Sequence, residues 1–128
     1  MPRTGTKARL EEQSKGRPKW RFSQHDRGGP FAWPPPAEDV PDILSRFVDF
    51  ESQSFNDLYK GAGCHEIEVA QLSKEARARL EALCRDDLDC VYSLRITGRR
   101  RVFAIREGDT LHVLWFDPLH QVCPSLKD

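Results

Sequence analysis

The sequence predicts an α+β fold, with N-terminal helices packed on a three- to four-stranded antiparallel β-meander. Three observations carry this expectation. Cys90, Tyr92, Leu94 and Ile96 alternate with Val91, Ser93, Arg95 and Thr97, the two-residue period of a strand with distinct faces. Two further alternating runs follow at hairpin spacing, 101–105 and 111–116, separated by the glycine turns Thr97, Gly98, Arg99 and Glu107, Gly108, Asp109. Upstream, residues 74–85 repeat at the 3–4 spacing of an amphipathic helix, with Ala76, Leu80, Leu83 and Cys84 on one face.

Taken in order, residues 1–17 are polar, basic and poor in large apolar groups, and are expected to form a disordered tail. Residues 18–37 gather Trp20, Phe22, Phe31 and Trp33 around Gly28, Gly29 and three consecutive prolines. Prolines forbid helix and favour extended chain, so an arm laid on the domain is expected, with stacking on single-stranded nucleic acid as the sharper alternative. The folded domain is expected over 38–124, with 125–128 as a short tail. Its first helix spans 38–51, with Glu38, Asp39 and Asp42 at the positive end of its dipole and Val40, Leu44, Phe47 and Val48 as its inner stripe. Ser54 caps a second short helix that turns Phe55, Leu58 and Tyr59 inward and stops at Gly61 and Gly63. Residues 64–71 alternate as a short edge strand, and Ser73 then caps the 74–85 helix, where Glu75–Arg79 and Glu81–Arg85 form i,i+4 pairs. The run 111–116 is apolar on both faces and is expected at the centre of the sheet, and residues 120–123 could add a fourth strand.

The 128 residues suit one domain with some chain left over; hydrophobic residues make up 38% and charged residues 31%, a balance that places part of the chain outside a core. No run of 18 apolar residues occurs and the N-terminus lacks an apolar signal region, so no membrane span and a cytoplasmic location are expected. The four cysteines form no C-x-x-C pair and read as reduced thiols. Cys64, His65, His120 and Cys123 are the one conceivable zinc set, but their spacing is not a recognised ligand pattern; no metal or other cofactor is expected. The net charge of zero conceals an asymmetry: residues 1–21 hold seven Lys or Arg, 37–63 hold six acids, and 95–106 hold five arginines and no acid. Such a basic segment attracts polyanions, although any single arginine more often solvates a sheet face.

The order of elements, with the segment 92–124 (YSLRITGRRRVFAIREGDTLHVLWFDPLHQVCP), resembles the RelE/ParE toxin superfamily. The resemblance spans about 38–124 as an order of elements and is specific over about thirty residues. It implies a metal-independent endoribonuclease that cleaves messenger RNA, commonly on the ribosome, and is held in check by an antitoxin protein. On that reading Arg95 and Arg101 clamp the scissile phosphate, His120 acts as general acid or base, and Arg99, Arg100 and Arg106 grip the RNA backbone. Many members carry an Arg near the last strand and a Tyr soon after it. Here that region reads Leu119, His120, Gln121, Val122, Cys123, a departure that bears on the chemistry more than on the fold. Two other readings use the same surface: a non-catalytic RNA- or ribosome-binding module, and a protein-interaction domain, including a homodimer in which basic hairpin meets acidic helix. His120 is equally a hydrogen-bonded histidine packing the turn after Asp117 and Pro118; His25, His65 and His112 are weaker candidates.

Overall fold

The computed structural model describes residues 15–61 and 63–125, so the expected 1–17 tail lies outside the described residues except for its last three. The fold is α+β. Strands β1 (Lys19–Arg21), β2 (Cys64–Glu68), β3 (Cys90–Arg95), β4 (Arg101–Glu107) and β5 (Thr110–Asp117) form one five-stranded sheet in the order β1-β5-β4-β3-β2. Helices α1 (Val40–Glu51), α2 (Phe55–Lys60) and α3 (Lys74–Ala82) flank it. All neighbouring pairs are antiparallel except β1 with β5.

This corrects the expected strand count. The edge strand expected within 64–71 is present as β2, but residues 120–123 add no strand, and the fifth comes from the arm, where Lys19, Trp20 and Arg21 pair in parallel with Thr110, Leu111 and His112. Addition of β1 makes β5 an interior strand and covers an edge too apolar to leave open. All seven residues from 111 to 117 are buried, in keeping with the apolar run.

The sheet is covered on both faces, giving two cores. On one face α1 and α2 contribute Ile43, Phe47, Phe50, Phe55 and Leu58 against Tyr92, Leu94, Val102, Ala104 and Val113. On the other, Leu72 and α3's Ala76 and Leu80 pack on Val91, Phe103, Ile105 and Trp115, together with Phe31 of the arm. Residue alternation serves both cores, with one interruption. Phe103 pairs with Trp115 and Ala104 with Val113, so Leu114 is an extra residue in β5. This bulge turns Leu114 and Trp115 to the α3 side and leaves Val113 and Phe116 on the α1 side.

Two helix faces depart from expectation. In α1 the inward stripe is Ile43, Phe47 and Phe50, while Val40, Leu44 and Val48 are exposed. Both stripes have helical spacing; the one carrying two phenyl rings buries more area and faces the sheet. In α3 the helix ends at Ala82, and Cys84, at φ +58, lies exposed. Arg79 and Arg85 are drawn away from their expected i,i+4 partners. Arg79 makes a two-pronged ion pair with Asp26 (2.7 and 2.8 Å), and Arg85 reaches Asp87 at 3.2 Å and Gln24 at 3.0 Å. Tyr59, expected inward, is partly exposed. Among the described residues no helix is long and apolar enough to cross a membrane.

Candidate nucleic-acid interface

Strand register gathers the arginine cluster at one end of the sheet. Arg95 on β3 lies opposite Arg101 on β4, and Arg101 lies opposite Asp117 on β5, so the three form one row across three strands. Residues so paired have Cβ atoms about 4.5–5.5 Å apart, and two like charges side by side repel. Asp117, flanking Arg101 on its other side, offsets that repulsion. The Asp117 carboxylate is fully buried and accepts hydrogen bonds from the backbone N–H of Gln121 (2.9 Å) and Val122 (2.8 Å). Those bonds shape the turn that carries His120, which takes a left-handed conformation at φ +59.

The individual arginines have different fates. Arg101 is only 3% exposed, and its Nη1 donates to the Gly98 carbonyl at 2.7 Å, bracing the hairpin turn from inside. Arg100 folds back onto the acidic start of α1, donating to Asp39 (2.6 Å) and Asp42 (2.8 Å) and to the Thr97 hydroxyl. The hydrogen bonds to Asp42 and Asp39 push its pKa above the ordinary arginine value. Arg99 stands exposed at the turn tip beside Gly98, whose φ of +54 makes the turn possible. Among the described residues, neither the Arg99 nor the Arg95 guanidinium has a hydrogen-bond or ion-pair partner.

Sequence reasoning missed Arg46. It projects from α1 to the same sheet end, stacks on Phe50 with its guanidinium carbon 4.5 Å from the ring centroid, and donates Nε to the Arg95 carbonyl at 3.2 Å. Gly63 makes this approach possible: at φ +109, a Cβ there would stand 3.2 Å from Arg46 Nη2 and 3.4 Å from Arg95 Cβ. A cation in the middle of an amphipathic helix carries no sequence signal for this contact. Asp117 reads in the sequence only as a chain breaker; its capping of the His120 turn likewise has no local signal.

Arg106 is not brought to this end. It lies five residues along β4 from Arg101, about 17 Å at the rise of a strand, on the α1 face of the sheet. There it donates to the Tyr92 hydroxyl at 2.9 Å, the Tyr59 hydroxyl at 3.2 Å and the Gly108 carbonyl at 2.7 Å, with its guanidinium 3.6 Å from the Phe55 ring centroid. Tyr59 and Tyr92 also bond to each other. The cleft beside them, about 370 Å³, is lined by Glu66, Asp87 and Asp89, which repel phosphate. Burial raises the pKa of both tyrosines. Burial, reinforced by a hydrogen bond to Glu66, pushes the Cys90 thiol up to about 12, and burial alone does the same to Cys64. All four groups therefore stay protonated near neutral pH, and neither thiol is a ready nucleophile.

Among the described residues no three His, Cys, Asp or Glu side chains converge to hold a metal ion; Cys64 and Cys123 belong to different cores, on opposite faces of the sheet. The basic end can hold a polyanion through Arg99 and Arg95, with Arg46 beside them and the turn that carries His120 next to the row. Comparison with models of known families finds no match, and comparisons with curated proteins and with solved structures likewise find none. The fold and the site define a class: a small α+β protein with helices on both faces of a five-stranded sheet and a cationic β-turn at one sheet end.

Proposed function

We propose that this chain is an RNA-binding module of RelE-like architecture that contacts the phosphate backbone through Arg95 and Arg99. The observation that carries the reading is the division of labour among adjacent arginines. Arg101 and Arg100 are committed to the protein itself, while Arg99 and Arg95 present guanidinium groups that have no partner among the described residues, at the same sheet end. Guanidinium forks suit phosphate oxygens and stay charged at any relevant pH. Arg101, 3% exposed, is poorly placed to clamp a phosphate in solution, which favours binding over cleavage.

The second reading, a metal-independent endoribonuclease restrained by an antitoxin, keeps one supporting observation: the Arg95–Arg101–Asp117 row adjoins the turn that carries His120, which is half-buried. One experiment addresses both readings. Binding of a fluorescent single-stranded RNA is followed across a salt series for the wild type and for Arg95→Ala/Arg99→Ala. Removing one arginine–phosphate pair lowers the salt slope by about 0.7, so the double variant should bind more weakly with a slope reduced by about 1.4. Equal affinity and slope in the two proteins would sink the binding reading. The recovered RNA is then end-mapped: intact RNA leaves the module non-catalytic, whereas new ends that vanish in His120→Ala establish cleavage.

A further inference from the structure

The outer face of α1 is apolar where a solvated helix face should be polar. Val40, Leu44 and Val48, at i, i+4 and i+8, are 45%, 61% and 55% exposed, and Phe22 across from them is 43% exposed. Between helix and arm runs a groove of about 280 Å³, walled by Phe22, Trp33, Pro34 and Pro35 on one side and by Val40 and Leu44 on the other. Contiguous apolar surface of this kind marks an interaction site, and a groove beside a helix is the usual seat for an amphipathic helix laid in by its apolar anchors.

The charges around the groove select the occupant. Glu38 lies just before Val40 and Glu51 three residues after Val48, both exposed, so acids close the apolar stripe at its two ends. Arg21 does not neutralise them. Trp20 of β1 and Phe22 just after it both meet Phe47 on the α1 side, and the alternation of extended chain sends Arg21 between them to the opposite face. A second copy of this chain fits poorly. Antiparallel pairing of two α1 helices about Leu44 sets Glu51 of one copy beside Ala37 and Glu38 of the other, acid against acid. A homodimer of basic hairpin with acidic helix is also disfavoured, because Arg100 already makes that contact within one chain with Asp39 and Asp42. Nor does the groove suit nucleic acid: its aromatic rings could stack bases, but no lysine or arginine lines it to meet the phosphates, and Glu38 and Glu51 at the ends of the stripe repel them.

We infer that the α1–arm groove docks an amphipathic helix of a partner protein, with aliphatic anchors at i, i+4 and i+7 and basic residues at its ends. The groove shares no lining residue with the Arg95–Arg99 end, although its Val40 end borders the Arg100 contacts to Asp39 and Asp42, and its test does not depend on RNA binding.

The probe is a synthetic amphipathic peptide with leucines at those positions and lysines at both ends, fluorescently labelled and titrated with the full chain. A second peptide carries glutamates in place of the lysines. The lysine-ended peptide should bind at least tenfold tighter than the glutamate-ended one. Leu44→Glu and, independently, Val48→Glu should weaken it at least tenfold with far-UV circular dichroism unchanged; both positions are exposed enough to leave the core intact. Glu38→Lys should narrow the preference between the peptides. Equal binding of the two peptides, or binding indifferent to both glutamate substitutions, overturns the inference. So does a wild-type dimer in sedimentation that Leu44→Glu converts to monomer, because the occupant would then be a second copy.

Discussion

Single residues settle which charges are structural, and Asp26 does so most clearly. Its buried carboxylate accepts both prongs of Arg79, the indole N–H of Trp115 at 2.8 Å and the backbone N–H of Gly28 at 3.0 Å. One side chain thus ties the arm, α3 and β5 together. Burial alone would raise its pKa. The hydrogen bonds from Arg79, Gly28 and Trp115, with the charge of Arg79, outweigh burial and hold the pKa below 3.8. A depressed native pKa means that the stabilisation is fully present above the unfolded value of about 3.9 and is lost as pH falls through that value towards the lower native one. Removing one partner of a buried pair costs about 3–5 kcal/mol, so Asp26→Ala should lose about that much at pH 7 in urea denaturation. Its deficit relative to wild type should shrink as the pH is lowered to about 3. A deficit that stayed constant with pH would mean that shape, not the ionised carboxylate, holds the joint. The sequence shows Asp26 beside His25 and Arg27 but not its partners, because Arg79 and Trp115 lie 53 and 89 residues away. The same limit applies to the arginines: counting them locates the basic end, yet only register shows that Arg101 lies beside Asp117 and that Arg100 is taken up by α1.

Elements are legible where their signal is local. Strands β3, β4 and β5 and their two glycine turns follow from alternation, and Ser73 and Ser54 both serve as caps, accepting from the N–H of Ala76 and Asp57 at 3.2 Å. The sequence predicts the arm as an extended segment laid on the domain, but not as a strand. Three residues, Lys19, Trp20 and Arg21, are too few to show a period, and parallel pairing with β5 is a contact across ninety-one positions. The bulge at Leu114 is equally hidden, since an unbroken apolar run carries no phase. The arm is held by its interior aromatics rather than by its exposed one. Phe31 is 1% exposed against Trp115, and its carbonyl accepts from the Phe116 N–H at 3.0 Å. Phe31→Ala should therefore cost about 3–5 kcal/mol, whereas Phe22→Ala, at an exposed position, should cost about 0.5 kcal/mol or less. Urea midpoints compare the two directly. If Phe31→Ala proved as mild as Phe22→Ala, the arm would not be docked in solution.

At the scale of the molecule, the two cores are separated by the sheet yet share its strands. Val102 and Ala104 point into one core while Phe103 and Ile105 point into the other, and Val113 and Trp115 divide in the same way along β5. Neither core can melt without dislodging strands that wall the other, so unfolding should be one cooperative event. The tryptophans report on each side separately: Trp20 and Trp33 pack against the α1 core, and Trp115 lies in the α3 core. In Trp115→Phe the remaining fluorescence follows the α1 side; in Trp20→Phe/Trp33→Phe it follows the α3 side. Each variant has its own stability, so the comparison is made within a variant, fluorescence against far-UV circular dichroism along one urea series. Coincident transitions in both variants are expected. A fluorescence transition that precedes the loss of secondary structure in only one of them would identify that face as an independently melting layer. If that face were the α1 side, the apolar groove and the Arg46 contact to Arg95 would disappear together while the hairpin that displays Arg99 stayed folded.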